Sequence, residues 1–303
     1  MGAQGCRLCP RGCNADRANG KTGFCGVTDK IQVARAALHM WEEPCISGEH
    51  GSGTVFFSGC PLQCVFCQNR SLAHNEKGRA LTQEALARVF LLLQEQGAEN
   101  INLVTPTHYV PQLAAALEEA KRQGLSLPIV YNTSSYETVE TLRRLDGLVD
   151  IYLPDLKFRS AERAARYAKA PDYFATASAA IAEMVRQTGA PVFAGGLLRR
   201  GVIVRHLVMP AGVNEAKAVI EYLYRTYGGR IYISIMNQYT PFGDLTAFPE
   251  INRRLTPREY GRVVDYAIEI GVENAFIQEG ETAGESFIPD FDEGGFLDRL
   301  QLR

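Results

Sequence analysis

The pattern of apolar and polar positions changes character near residue 50. Before it, polar, glycine and cysteine positions follow one another with little periodicity. The exception is a short alternation through Ile31, Val33 and Arg35 that predicts a strand. Pro44, Gly48, Gly51 and Gly53 break the stretch 41–53, which reads as an irregular connection. From Thr54 onward, short β-rich runs alternate with helix-period segments. Strands are predicted at 54–58, 101–105, 129–132, 151–153, 202–208, 231–235 and 275–277. Between them, Leu86, Val89, Phe90 and Leu93 recur at i, i+3, i+4 and i+7, with Thr82 placed to cap the helix and Gly97 just past its end. Thr256 and Glu259 form a capping box with Pro257 at the first helical position. It leads into Tyr260, Val263, Val264, Ala267 and Ile268 before Gly271.

Strand–helix alternation of this length implies a parallel sheet with right-handed crossovers, and near-continuous apolar strands imply burial on both faces. The fold class is therefore α/β: a partial (β/α) barrel of six to seven parallel strands over residues 51–303, preceded at 1–50 by a small cysteine-rich metal module and its connection. An open doubly wound sheet is disfavoured, because three cysteines rather than a glycine-rich phosphate loop follow the first long strand. Parallel barrels place their active sites at the C-terminal ends of the strands, so the residues after each strand are the candidates for function.

Composition narrows the partners more than the chemistry. With 32 basic against 34 acidic residues the net charge is −2, which gives no general attraction to nucleic acid or to an anionic membrane. Apolar runs such as Val89 to Leu93 fall far short of the roughly 20 residues of a membrane-spanning helix, and the first thirty residues carry no signal-peptide core. The expected location is cytoplasmic, with no nucleic-acid or membrane partner. Eight cysteines in such a chain point to metal or redox chemistry rather than disulfides. Seven lie in two tight groups, and the eighth, Cys45, reads as an ordinary buried cysteine.

The first group follows the strand at 54–58. Gly59-Cys60-Pro61-Leu62-Gln63-Cys64-Val65-Phe66-Cys67-Gln68-Asn69 spaces Cys60, Cys64 and Cys67 as C-x3-C-x2-C. Three thiolates on one tight loop can hold three corners of a 4Fe-4S cluster and leave the fourth iron open, where the amino and carboxylate groups of S-adenosylmethionine can bind. A zinc loop completed by a distant ligand, or three structural cysteines, are the alternatives. The second group, Cys6, Cys9, Cys13 and Cys25, has the spacing C-x2-C-x3-C-x11-C and reads as a closed four-thiolate site. It suits either zinc, as a staple, or a second iron–sulfur cluster, as an electron relay.

The triad, Phe66 before its last cysteine, and its position at a strand end resemble the radical S-adenosylmethionine superfamily. Within it, Phe57-Ser58-Gly59-Cys60, Cys67-Gln68-Asn69, the segment from Asn102 to His108 and the segment from Tyr152 to Lys157 resemble proteins related to pyruvate formate-lyase activating enzyme, over roughly residues 50 to 280. The resemblance implies an enzyme that cleaves S-adenosylmethionine reductively to a 5′-deoxyadenosyl radical for hydrogen abstraction. It also implies an electron donor such as flavodoxin or ferredoxin, and a glycyl radical protein as one candidate partner. A small-molecule substrate, or a non-catalytic iron–sulfur electron carrier, are the competing readings.

The same resemblance assigns cofactor contacts at the other strand ends. Phe66 and Gln68 flank the last cysteine. Thr105 and Thr107 stand where the activating enzymes carry a Gly-Gly-Glu segment, a departure in this chain, with His108 either functional or a helix cap. Asn132 and Thr133 replace an Asp-Thr. Asp155 and Lys157 fall at the methionine carboxylate and adenosine end. Strand alternation sends Arg205 and His206 to opposite faces, and the resemblance favours Arg205 inside. Gln238 or Tyr239 falls at an adenosine contact, and Gln278-Glu279 closes the last strand.

Overall fold

The computed structural model describes residues 5–278 together with Phe291 and Leu297. Its strands are β1 (Ile31–His39), β2 (Ser52–Phe57), β3 (Arg79–Leu81), β4 (Ile101–Val104), β5 (Ile129–Thr133), β6 (Ile151–Pro154), β7 (Val192–Ala194), β8 (Leu197–Leu207), β9 (Tyr232–Met236) and β10 (Ala275–Ile277). They form one sheet in the order β10-β9-β8-β6-β5-β4-β2-β1-β3, with β7 paired to β8. The seven strands from β2 to β10 along this order are all parallel. This is the partial barrel that the alternation predicts. Strands β1 and β3 extend it as antiparallel neighbours of β2 and β1. Thus β1, which precedes residue 50, belongs to the barrel sheet. Strands β3 and β7, three residues each, escape the sequence pattern, although β10, equally short, is found by it.

Each strand presents alternate residues to the two faces. Val55, Leu103, Tyr131 and Val204 pack outward in the main core with Leu86, Phe90, Leu113 and Ile220 of the covering helices. Thr82 caps the helix Gln83–Glu95 by accepting from the Ala85 N–H, and the capping box of Thr256 and Glu259 opens the helix Pro257–Glu269. On that second helix the apolar stripe is narrower than its sequence suggests. Val263 and Ala267 are buried, whereas Ile268 is 64% exposed.

The inward face carries the unexpected element. The stretch read as an irregular connection contains a one-turn helix, Pro44–Ser47, that enters the barrel lumen. Cys45 and Ile46 pack there against Val130, Ile151, Leu153 and Ile203. Asn100 fixes the turn by donating from Nδ2 to the Ile46 carbonyl (2.7 Å) while its Oδ1 accepts from Ser52 Oγ (2.6 Å). Burying Ile46 alone is worth about 1.5–3 kcal/mol. A single turn offers no periodicity, so only Pro44 at its start marks it in the local pattern. Cys45 is buried, as expected.

Candidate active site

Downstream of β2 the chain turns sharply at Gly59, whose φ is +87°. A side chain there would come within 2.6 Å of Val27 Cγ1 and 2.7 Å of the Cys25 carbonyl, so the close approach requires glycine. The cysteine loop is then held by backbone bonds. Gly59 N–H donates to the Leu72 carbonyl (2.7 Å), Val65 N–H to Tyr167 (2.9 Å) and Cys67 N–H to Cys64 (3.1 Å). Arg11 clamps the N-terminal module to this loop, donating from Nε to the Pro61 carbonyl (2.9 Å) and from Nη2 to Ala168 (2.9 Å).

Cys60, Cys64 and Cys67 all line one cavity of about 210 Å³ at the C-terminal ends of the strands. Burial pushes all three thiols up, Cys67 to about 11, with Lys157 opposing the shift at each. Among the described residues no three His, Cys, Asp or Glu side chains already converge on a single ion. A cubane does not need them to, because each thiolate binds a different iron corner. Soft sulfur donors, three in number, suit a cluster with one iron left free of protein, and in chemistry the donor set fits.

Opposite the thiols lies a charge network. Lys157 Nζ donates to Asp155 Oδ2 (2.5 Å), and Arg205 Nε donates to Asp155 Oδ1 (3.1 Å). The remaining guanidinium nitrogens reach Glu42 Oε2 (3.2 Å) and Asn132 Oδ1 (2.5 Å). Burial pushes the Asp155 carboxyl up, but Lys157 and then Arg205 outweigh it, and the group stays below the ordinary aspartate range. Lys157 is raised, because Asp155 and Cys64 outweigh its desolvation. Arg205 points inward as alternation requires. His206 points outward, where its Nδ1 pairs with the Leu156 carbonyl at 2.7 Å. The inward charge of Arg205 is met by protein carboxylates.

Of the other candidates, Phe66, Gln68, Thr105, Asn132, Thr133, Gln238 and Tyr239 border the same cavity. Thr105 holds a left-handed backbone, φ +58°, while its N–H donates to the Asn132 carbonyl. Phe66 forms an aromatic wall with Phe158 and Tyr239, ring centroids 6.2 and 6.0 Å away. Tyr239 turns its hydroxyl to the Ile251 carbonyl (2.8 Å). Glu279 lies outside the described residues.

Thr107 and His108 depart from expectation. Thr107 donates to Glu137 Oε1 (2.7 Å) away from the cavity, and Thr133 does the same (2.6 Å), so its hydroxyl is turned from the cavity it borders. The reason is Glu137, a carboxylate 1% exposed that also draws Tyr131 Oη (3.2 Å). A buried acceptor gathers every donor within reach. His108 is a strut beneath the loop, its Nε2 paired with the Ser58 carbonyl at 2.8 Å and its ring against Gly59. Burial lowers its pKa to about 3, with Arg17 adding to the effect, so the ring is neutral.

Sequence reasoning missed Glu137, Glu42 and Glu43. Glu42 reaches the barrel interior only because the one-turn helix carries it there, and it accepts from Asn102 Nδ2 (3.0 Å) and Asn132 Nδ2 (3.4 Å) besides Arg205. The available signal was an acidic pair directly before Pro44, a residue that opens helices.

In the N-terminal module, Cys9 and Cys25 are buried, Cys6 is half-buried and Cys13 is exposed. Cys6 Sγ lies 3.7 Å from Arg17 Nη1. Burial pushes Cys9 up to about 12 and raises Cys25 as well. Across the described residues no helix is long and apolar enough to cross a membrane.

Comparison with known proteins supplies the family. A relative 27% identical over 272 residues, covering 86% of this chain and 74% of its own length, is an uncharacterised protein of Methanocaldococcus jannaschii. Similar solved structures include HydG, described as a maturase of the FeFe-hydrogenase (17% identity, TM-score 0.49, 73% of this chain and 50% of that one). Streptococcus suis SuiB bound to S-adenosylmethionine matches at 16% identity and TM-score 0.49, over 75% of this chain and 50% of that one. Native anSMEcpe with bound AdoMet and the Kp18Cys peptide matches at 12% identity and TM-score 0.50, over 70% and 57%. The chain spans about half the length of these solved proteins. The family model for the radical SAM superfamily matches residues 54–210, just over half of the chain and the span from the cysteine strand to the end of β8. This protein belongs to the radical SAM superfamily and is a radical SAM enzyme, a membership that implies a 4Fe-4S cluster and S-adenosylmethionine.

Proposed function

We propose that Cys60, Cys64 and Cys67 hold the 4Fe-4S cluster, that the strand ends opposite bind S-adenosylmethionine, and that the enzyme abstracts hydrogen from a small organic substrate. The observation that carries this reading is the single cavity that brings the three thiols together with Asp155, Lys157 and Arg205. When bound, the reduced cluster supplies an electron to the sulfonium and thereby a 5′-deoxyadenosyl radical, the hydrogen abstractor. The chain's own residues bind, orient and shield. Lys157 offers a carboxylate the one ammonium in the network, and Asp155 fixes its direction. Thr105 offers acceptors to an amino group. Gln68 and Gln238 offer amides, and the wall of Phe66 and Tyr239 keeps water from the cofactor. Reduction of the cluster calls for a low-potential donor of the flavodoxin or ferredoxin type.

Replacing Lys157 with alanine is expected to weaken S-adenosylmethionine binding by about 1.5–3 kcal/mol, the worth of a charge-assisted hydrogen bond. Equilibrium dialysis on the reconstituted enzyme measures it, and unchanged affinity would reduce Lys157 to a partner of Asp155. The sequence resemblance suggests a glycyl radical protein as substrate. The lumen plug at Pro44–Ser47 supports the small-molecule reading instead, because Glu42, Glu43 and Pro44 at its start wall a recess of small-molecule size beside the cofactor cavity.

Cys6, Cys9, Cys13 and Cys25 are proposed to hold a second metal, either iron–sulfur or zinc. Gly23 supports this, since a side chain there would overlap Cys13 Sγ at 2.2 Å, so the chain is built to close on that sulfur. A variant with Cys60, Cys64 and Cys67 all replaced should still carry metal after anaerobic purification. Elemental analysis should find about four irons with sulfide for a cluster, or about one zinc for a staple. The contact of the Cys25 carbonyl with Gly59 gives a cluster there a short route to the reactive loop. A metal-free variant with intact folding would remove the module from both roles.

A further inference from the structure

Beside the cofactor cavity lies a second, of about 380 Å³, walled in part by Glu42, Glu43 and Pro44 where the lumen plug begins. The two share Gln68, Asn69, Asn132, Arg205 and Gln238, so a molecule in the second would face the cysteine loop across a common wall. In its wall stand the carboxyls of Glu42 and Glu43, both pushed up by burial and both drawn down by Arg205, whose guanidinium also serves Asp155. All the hydrogen bonds of Arg205 go to Asp155, Glu42 and Asn132, and none reaches Glu43. Glu43 holds a hydrogen bond with the Ser234 side chain, but its Oε2 is shielded from solvent without a partner, as is Asn69 Oδ1. Both belong to the wall of this cavity. An acceptor left unpaired in the interior costs about 1–3 kcal/mol, more when charged. Here two such groups border one space, and both call for donors. The rest of the lining mixes polar side chains, His39, Ser234 and Gln278, with aromatic ones, Phe56 and Phe276 on the strands and Trp41 at the rim, 56% exposed. Aromatic faces tolerate an organic cation and offer nothing to an anion.

We propose that this cavity is the substrate compartment and that it selects a small organic cation, a substrate bearing a protonated amine whose N–H groups complete Glu43 and Asn69. The proposal rests on the reading of the neighbouring cavity as the S-adenosylmethionine site and names the substrate class that this reading leaves open. Specificity follows from charge. An ammonium supplies a counter-charge that favours the Glu43 carboxylate against its burial, a neutral isostere supplies none, and a carboxylate adds a further anion beside Glu42 and Glu43.

Trp41 is the chain's single tryptophan and borders the compartment, so its emission reports occupancy. The anaerobically reconstituted enzyme, saturated with S-adenosylmethionine, is titrated with hexylammonium, hexanol and hexanoate. Hexylammonium should give a saturable change with an affinity at least tenfold above either isostere. Glu43→Gln should abolish that preference, and Glu43→Asp should restore part of it. Circular dichroism and iron content are measured on each variant to separate loss of binding from loss of fold. Equal binding of the three probes, preference for hexanoate, or an unchanged preference in a folded Glu43→Gln protein would overturn the proposal. Displacement of hexylammonium by S-adenosylmethionine would overturn it too, by making the two cavities one site. The underlying reading fails separately. If the cysteine-triad variant keeps cleaving S-adenosylmethionine while amine selectivity persists, the cofactor assignment falls and the compartment stands.

Discussion

Replacing Cys60, Cys64 and Cys67 with alanine is expected to yield a folded protein that forms no deoxyadenosine from S-adenosylmethionine under dithionite and has lost about four irons per chain. The fold should survive because the loop is held by main-chain bonds, from Gly59 to Leu72, Val65 to Tyr167 and Cys67 to Cys64, none of which uses a thiol. Loops of this kind carry chemistry on a scaffold whose stability lies elsewhere. Single substitutions should be nearly as severe, since each thiolate anchors a different iron corner. Deoxyadenosine measured by chromatography, with iron and sulfide assayed on the same samples, checks the expectation. Continued cleavage by the triple variant would place the reactive cluster at the N-terminal cysteines and reverse the two roles.

The scaffold was legible in the sequence wherever an element was long enough to repeat. Leu86, Val89, Phe90 and Leu93 announce their helix and lie in the core, and the parallel strands announce themselves as apolar runs. Their strand-end residues, read as separate candidates, border one cavity in the fold. Three features were not legible. Pro44–Ser47 and the inward reach of Glu42 depend on contacts with Asn100, Asn102, Asn132 and Arg205, far away in sequence, and Glu137 gathers Thr107 from 30 residues away as well as its local donors Tyr131 and Thr133. Thr107 shows the converse. Its position after β4 suggested the cofactor, but the hydroxyl goes to Glu137, because a buried carboxyl group without a cation is the stronger claim on a donor. Ile268 shows how far periodicity can overreach, since a stripe read from spacing can be wider than the face a partner covers.

Arg205 concentrates the risk in this design. One guanidinium donates to Asp155, Glu42 and Asn132, three acceptors on three different elements, and its side chain is only 14% exposed. Replacing it with leucine strands Glu42 in the barrel mouth, whereas Asp155 keeps Lys157. Removal of one partner from a buried ion pair destabilises by about 3–5 kcal/mol, because the remaining charge has lost its counter-charge without regaining water. Arg205→Leu is therefore expected to lose stability of that order in urea unfolding of the metal-free protein. Arg205→Lys should recover only part of it, since an ammonium cannot hold three acceptors in the planar fork that a guanidinium provides. The decisive measurement is the double variant. If the penalty arises from stranded charge, Glu42→Gln added to Arg205→Leu should be more stable than Arg205→Leu alone by about 1 kcal/mol or more, although Glu42→Gln by itself destabilises. Additive losses would instead assign the effect of Arg205 to packing. In that case the network would be a set of independent contacts.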